Sequence, residues 1–345
     1  MSVRDDLTSQ FVCSPPMRIG IVGNEACDAD SLASAYIYAW AMNHIDPTNE
    51  YTPFMHCKVT ELEFRLDFVE ICKMCVIPLP SIHSLNEVTD AIEGWILVDH
   101  HFPSKLFQTM FPTASVLEVI DHHIVLSNEE HSFLATVPKV DIRTIGSTCT
   151  MIAERIFSFG LSVPTYIQKM LLLVIALDTG NLSTDLASAT QADIVIYNSL
   201  KTKLEIVDMM PLFNQVRESR FSRDFWYNAP LTKILLYDFK DINRVGFSVV
   251  LRTLNGLADR DIVEFAQSMS YRIFVVSSGF LDEGQVKREL LVYFADDFTA
   301  MSKRLLSSFE LELVSSTDPV ARFRVLDVSF SRKKFAPKFL SLLVS

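Results

Sequence analysis

Glycine is scarce in this chain, with ten in 345 residues and no two adjacent. That argues against the glycine-rich loop in which P-loop proteins cradle a phosphate. Long apolar runs are missing too: the longest, MLLLVIAL at 170–177, is well short of the ~20 residues a bilayer span requires. The N-terminus, MSVRDDLTSQFVCSPP, has neither the apolar stretch of a secretory signal nor an arginine-rich transit helix, so a cytoplasmic location and no membrane segment are expected. Positive charge is in deficit, with a formal net charge of -11. A general nucleic-acid coat or an anionic membrane surface is therefore a poor partner, and a polyanion must meet a local basic site. The six cysteines follow no spacing framework, and the single CxxC, Cys72 and Cys75, has no second pair to complete a zinc site. They read as reduced structural thiols.

What is present is enough apolar residue for a sizeable core, 49% against 21% charged, in a chain whose length suggests two domains. The first half alternates short apolar runs with helical patterns, the signature of a parallel sheet with crossover helices. RIGIVG (18–23), WILVDHH (95–101) and SVLEVIDHH (115–123) read as strands. SLASAYIYAWAMNHI (31–45) reads as a helix, as does GSTCTMIAERIFSFG (146–160), which Ser147 or Thr148 can cap. YIQKMLLLVIALDTG (166–180) is a further buried element. Between about 200 and 230 the rhythm is lost, and the strand-like runs TKILLYDF, GFSVVLRTL, RIFVVSSGF, LLVYF and RFRVLDVSF follow. The expected organisation is α/β throughout: a tail at 1–17, a parallel-sheet domain with helices on both faces at 18–205, a linker at 206–228, and a smaller α/β domain at 229–345.

Acids and histidines recur just beyond the carboxyl ends of buried elements: Asp28 and Asp30, Asp99 with His100 and His101, Asp121 with His122 and His123, and Asp178. Loops converge over that edge of an open α/β sheet. One aspartate after a strand is commonly a helix cap, but four such events, two of them the triplet DHH, point to one metal site. Carboxylates with a few imidazoles suit Mg²⁺ or Mn²⁺. Five ligands exceed one ion's usual share and fit two ions about 3.5–4 Å apart, an arrangement suited to phosphoryl chemistry.

The series GNEACDADS, LVDHH, VIDHH and ALDTGN resembles the four motifs of the DHH phosphoesterase superfamily, and FSRKKFAP (330–337) resembles the SRKK signature of its DHHA2 branch. That branch holds the family II inorganic pyrophosphatases and the exopolyphosphatase and prune group. The resemblance runs from about residue 18 to 340. It implies Asp28 on one ion, Asp30 on the other, Asp99 bridging both, and His122 and Asp178 completing the second. His123 would face the substrate phosphate, and Arg332 and Lys333 would bind it. His100 and Asp121 would support the ligands from behind, and His101 has no assigned role. Where the pyrophosphatases carry a histidine ligand this chain has Asn24, which moves the resemblance to the exopolyphosphatase and prune group and places Asn24 at the substrate.

The basic tail complements this acidic chain: Arg322, Arg324, Arg332, Lys333, Lys334 and Lys338 stand against Asp327 alone over 320–345. Arginine and lysine in that density suit a bound polyphosphate. Arg288, with Lys287, is a weaker candidate for the same channel, and Arg143 a weaker one again. The expected activity is release of orthophosphate from the ends of inorganic polyphosphate by two-metal activation of water. The competing expectations are pyrophosphatase, nucleotide phosphodiesterase and a prune-like interaction protein. The oligonucleotide-cleaving relatives carry a GGGH motif, and this chain has no GG.

Overall fold

The computed structural model describes residues 16–88, 91–183, 189–283, 285–296, 298–327 and 330–344. Most of the expected N-terminal tail and two residues of RFRVLDVSF lie outside the described residues.

The first half runs β1 (Arg18–Val22), α1 (Ala29–Ile45), β2 (Glu50–Met55), α2 (Leu66–Met74), β3 (His83–Ser84), β4 (Gly94–Val98), α3 (Lys105–Met110), β5 (Val116–Asp121), α4 (Asn128–Leu134), β6 (Lys139–Ile142), α5 (Thr148–Ser158), α6 (Thr165–Asp178) and α7 (Gln191–Lys203). Its strands form one parallel sheet in the order β3-β2-β1-β4-β5-β6. The chain winds outward from β1 to β3 and then returns to β4 on the other side of β1. A crevice therefore opens over the carboxyl ends of β1 and β4, the place where such sheets bind ligands.

Residue alternation explains why both faces are covered. Ile96 and Val98 join a core with α1, α5 and α6, whereas Trp95 and Leu97 join the opposite core with Phe107 of α3. Successive strand side chains point to opposite faces, and here both faces are apolar. Helix α6 is buried on all sides from Met170 to Leu177, as expected of a helix enclosed by α1, α5, α7 and α8 (Met210–Ser219). It delivers Asp178 to the sheet edge as its last residue. Gly23 allows α1 to start close to β1, because a Cβ there would lie 2.8 Å from that of Ser31.

The expected linker is helical. Helix α8 buries Phe213 and Val216 in the first core, and α9 (Arg223–Asn228) buries Phe225 and Trp226 in a second one. TKILLYDF is not a strand: α10 (Leu231–Leu236) occupies most of it, starting after Pro230 and burying Ile234 and Leu235. A four-residue apolar run fits either period, and proline just before the first helical turn decides for the helix.

Beyond it come β7 (Asp238–Ile242), β8 (Val245–Val250), α11 (Asp259–Ser268), β9 (Ile273–Asp282), β10 (Gln285–Phe294), α12 (Phe298–Ser308), β11 (Leu311–Thr317), β12 (Val320–Val325) and α13 (Arg332–Val344). This second sheet has the order β11-β12-β10-β9-β8-β7, antiparallel except between β8 and β9. The halves are joined by polar contacts. Arg220 donates from Nε to Asp67 at 2.7 Å, the Arg65 guanidinium donates to the Tyr237 carbonyl, and Lys233 pairs with Glu61.

Candidate functional site

The turn from β1 to α1 is built by side chains of the sequence NEACDADS. Asn24 folds its Oδ1 back to accept from the Ala26 amide at 2.8 Å, and its backbone N–H donates to Ser31 Oγ at 3.0 Å. Asp28 caps α1 by accepting from the Ser31 amide at 3.0 Å. Asp30, in the first helical turn, points at the start of α5. It accepts from the amides of Thr148 (2.7 Å) and Cys149 (2.9 Å) and from Ser147 Oγ (2.9 Å). A helix N-terminus offers unpaired N–H groups and positive potential, so α5 orients this carboxylate. Ser147 is the N-cap of α5, as its sequence suggests.

Asp99 is the hub. It lies one residue past β4 with φ at +60°, a strained conformation for a residue with a Cβ. Its Oδ2 accepts from Asn24 Nδ2 at 2.7 Å and Ser31 Oγ at 2.6 Å. Its Oδ1 faces Thr148 Oγ1 at 3.4 Å, His122 Nε2 at 3.3 Å and His123 Nδ1 at 3.8 Å. His122 turns its other nitrogen, Nδ1, to the Ile145 carbonyl at 3.0 Å. Asp99, His122 and His123 each offer one ligand atom within 4.8 Å of the others.

Asp121 sits behind. Still the last residue of β5, it accepts from His101 Nδ1 at 2.5 Å and His123 Nδ1 at 2.8 Å, and from its neighbour's amide, His122 N–H, at 2.7 Å. These bonds outweigh its burial and hold its carboxyl far below the usual range. Asp178 is the opposite case: its Oδ2 is buried without a hydrogen-bond partner among the described residues.

The electrostatics divide along the same line. Burial first, then the charge of Asp99, raises Asp28 to about 6 and also raises Asp30. Burial, then Asp30 and Asp28, pushes Asp178 well above the carboxylate range. Against its burial, Asp99 falls to about 2 through the hydrogen bond with His122, and that bond together with the charge of Asp99 lifts the imidazole to about 10. Three crowded carboxylates that resist ionisation, one with an orphaned buried oxygen, are groups that a cation would satisfy. The donor set of oxygens with one or two imidazole nitrogens is that of a hard or borderline divalent ion, so the residues fit the expected Mg²⁺ or Mn²⁺.

The structure brings Asn24, Asp28, Asp30, Asp99, Asp121, His122, His123 and Asp178 together at one edge. Both amide atoms of Asn24 are engaged within the protein, so it clamps Asp99 instead of projecting free toward a substrate. His100 points elsewhere: Nδ1 bonds the Val98 carbonyl at 2.9 Å, the ring lies 6.2 Å from that of His56, and Nε2 is buried without a hydrogen-bond partner among the described residues. Arg332 bonds the Asp238 carbonyl at 2.9 Å and its carboxylate at 2.8 Å. The side chain of Lys333 lies outside the described residues. Arg288 is half-buried on β10, and the charge it feels is that of Asp327. Arg143 pairs with Asp141 and Glu154, and Lys287 with Asp282.

Sequence reasoning missed several neighbours. Ser31 and Thr148 supply hydroxyls to Asp99, a role that no local pattern encodes. Lys240 on β7 acts on Asp28 and, with Arg332 and Arg220, on Asp238; Arg220 also acts on Asp178. These cations reach the edge from the second half of the chain. His101 is in contact with Asp121, and Glu130 lies 3.5 Å beyond it.

Residues 18–177 match the family model described as DHH family, N-terminal domain. The chain is 24% identical over 356 residues to exopolyphosphatase PRUNE1 of Mus musculus, covering 94% of this chain and 75% of that one. It is also 24% identical over 367 residues to a putative exopolyphosphatase of Schizosaccharomyces pombe, covering 96% and 92%. Among solved structures, the putative family II inorganic pyrophosphatase of Methanococcus jannaschii superposes with a TM-score of 0.65 at 19% identity, over 95% of this chain and 100% of that one. The two share a fold.

Proposed function

We propose that this chain, whose residues 18–177 are a DHH-family domain, is a divalent-cation-dependent phosphoanhydride hydrolase. It takes the ends of inorganic polyphosphate and releases orthophosphate. The observation that carries the reading is the convergence on one sheet edge of Asp28, Asp30, Asp99, His122 and Asp178, with Asp178 Oδ2 left orphaned. Two relatives named exopolyphosphatase and a putative exopolyphosphatase support the substrate class.

In this reading Asp28, Asp30, Asp99, His122 and Asp178 hold two Mg²⁺ or Mn²⁺ ions. When bound, such ions lower the pKa of water toward neutrality and polarise phosphoryl oxygens. The residues of the chain do the rest. Asn24 and Ser31 fix Asp99 Oδ2, so its other oxygen has a defined direction. His123 presents its outer edge, 28% exposed, to the terminal phosphate and offsets negative charge as it develops. Arg332 and Lys240 receive the following phosphates, and Lys333 and Arg288 are further candidates to bind them. Terminal attack needs only the last phosphate at the carboxylates, so the centre itself sets no limit on chain length. Neutral Asn24 in place of an imidazole ligand weakens selection for Mn²⁺, and Mg²⁺ should serve as well.

The test is phosphate release from triphosphate, longer polyphosphate and pyrophosphate, with Mg²⁺ and Mn²⁺ in turn. Polyphosphate should be preferred strongly, with activity lost to a chelator and restored by either ion. Pyrophosphate turned over as fast as polyphosphate would sink the assignment.

A further inference from the structure

We propose that His101 and Glu130 are positioning residues for His123, acting through Asp121. The inference rests on the reading of His123 as the imidazole that faces the substrate phosphate. Four groups stand in line, the inner two, His101 and Asp121, more buried than either end. Glu130 Oε2 lies 3.5 Å from His101 Nε2, His101 Nδ1 lies 2.5 Å from Asp121 Oδ2, and Asp121 Oδ1 lies 2.8 Å from His123 Nδ1.

Asp121 has both oxygens committed, because Oδ1 also accepts the His122 amide at 2.7 Å. It cannot rotate without breaking bonds to three residues. Fully buried and flanked by two imidazoles, it is a carboxylate that only accepts. Each flanking ring must therefore turn an Nδ1–H toward it, which fixes the orientation of His123 and leaves its Nε2 edge directed away from Asp121. The ring of His122 stands edge-on to that of His123, 4.5 Å away at 81°, and restricts it from the other side. A histidine that must meet a phosphate needs this restriction, since small misorientations cost rate.

His101 in turn is 7% exposed; its far nitrogen makes no hydrogen bond among the described residues and lies 3.5 Å from Glu130 Oε2. Glu130 also forms the capping box of α4, accepting from the amides of Leu126 (2.6 Å) and Ser127 (2.9 Å), while Ser127 Oγ accepts from the Glu130 amide at 3.1 Å. The loop that leaves the second triplet is thereby tied back to the first. A glutamate serving only as a cap would need no contact with His101, and a histidine serving only as filling would need no acid at each end.

Three variants separate positioning from structure. His101→Leu removes the donor to Asp121. His101→Gln can restore that donor from its amide. Glu130→Gln keeps the capping box, which glutamine also satisfies, and removes the charge next to His101. His101→Leu should lower kcat for polyphosphate by about tenfold, the scale seen when partners behind a site residue are removed, with KM changed less than about twofold. His101→Gln should recover most of the loss, and Glu130→Gln should lose about threefold at unchanged Tm. A second readout needs neither cation nor substrate: long-range ¹H–¹⁵N spectra of histidine-labelled, cation-free protein. These should show His123 protonated at Nδ1 in the wild type and as a mixture of tautomers in His101→Leu. The proposal is overturned if kcat and the His123 signals are unchanged in His101→Leu, or if the loss appears equally in His101→Gln together with a lowered Tm. A wild type inactive on polyphosphate would remove the assigned activity, and the spectra would still decide the arrangement.

Discussion

The chain spells DHH twice, and the two triplets are used in opposite senses. At 99–101 the aspartate faces the centre, His101 stands behind, and His100 looks away. At 121–123 the aspartate stands behind and both histidines face forward. The difference is one residue of strand. β4 ends at Val98, so Asp99 is outside the sheet and bends into a left-handed conformation, φ +60°. β5 runs through Asp121, so that carboxylate stays fully buried and the histidines are the first residues free to turn. Identical letters thus give a hub in one case and a support in the other, and the support of the second triplet is clasped by the last histidine of the first.

The largest expected effect tests the hub. Asp99→Asn keeps the shape, removes the charge that His122 meets, and sets an amide hydrogen against one of its hydrogen-bonded neighbours. Phosphate release should fall at least about a thousandfold, some 4 kcal/mol of transition-state stabilisation. Calorimetry should find cation affinity lost in parallel. Asp121→Asn should be milder, about ten- to a hundredfold in kcat with cation affinity largely kept, because it disturbs orientation and no proposed ligand. Equal losses in the two variants would mean that the triplets play the same part, and the comparison would fail.

A smaller effect should carry the opposite sign. Asp178 lies with Asp99 on the cation side of the division, where burial and the charges of Asp30 and Asp28 oppose its ionisation. Asp178→Asn removes a buried acid whose ionisation its surroundings oppose, so the cation-free variant should be more stable than wild type at neutral pH by about 1 kcal/mol, roughly 2–4 °C in Tm. Saturating Mg²⁺ should reverse the order, since ligand binding stabilises only the form that binds it. A variant less stable than wild type without cation would show that Asp178 is held by groups other than its acidic neighbours.

Much of this was legible in the sequence, and the limits have physical reasons. Apolar runs followed by Asp or His located β1, β4, β5 and α6 and put their termini at one edge, because burial on both faces of a parallel sheet leaves a strong hydrophobic signal. The cap of α5 was narrowed to Ser147 or Thr148, and Ser147 takes the position. Which residue of each triplet faces the centre came from the family resemblance and not from the letters themselves, since it depends on strand ends, and a one-residue shift reverses side-chain direction. Lys240 and Arg220 were hidden for another reason: they reach the carboxylates through packing between the two halves, and distant contacts leave no period in the chain. The misread TKILLYDF shows the same weakness at short range, where four apolar residues fit a strand or one helical turn.

The smallest expected effect concerns His100, the residue whose position departs furthest from expectation. Among the described residues its imidazole bonds one backbone carbonyl, at Val98, and keeps a buried Nε2 with no hydrogen-bond partner. His100→Leu gives up that single hydrogen bond but also removes an unsatisfied polar atom, two terms of about 1 kcal/mol each and opposite sign. Tm should move by less than about 4 °C and kcat by less than about threefold, the scale of a group that touches neither ligand nor substrate. His122→Leu, the matching position in the other triplet, should abolish detectable turnover. Were His100→Leu to cost tenfold or more, its orphaned nitrogen would have to serve the reaction, and the first triplet would then place two of its three side chains at the centre, as the second does.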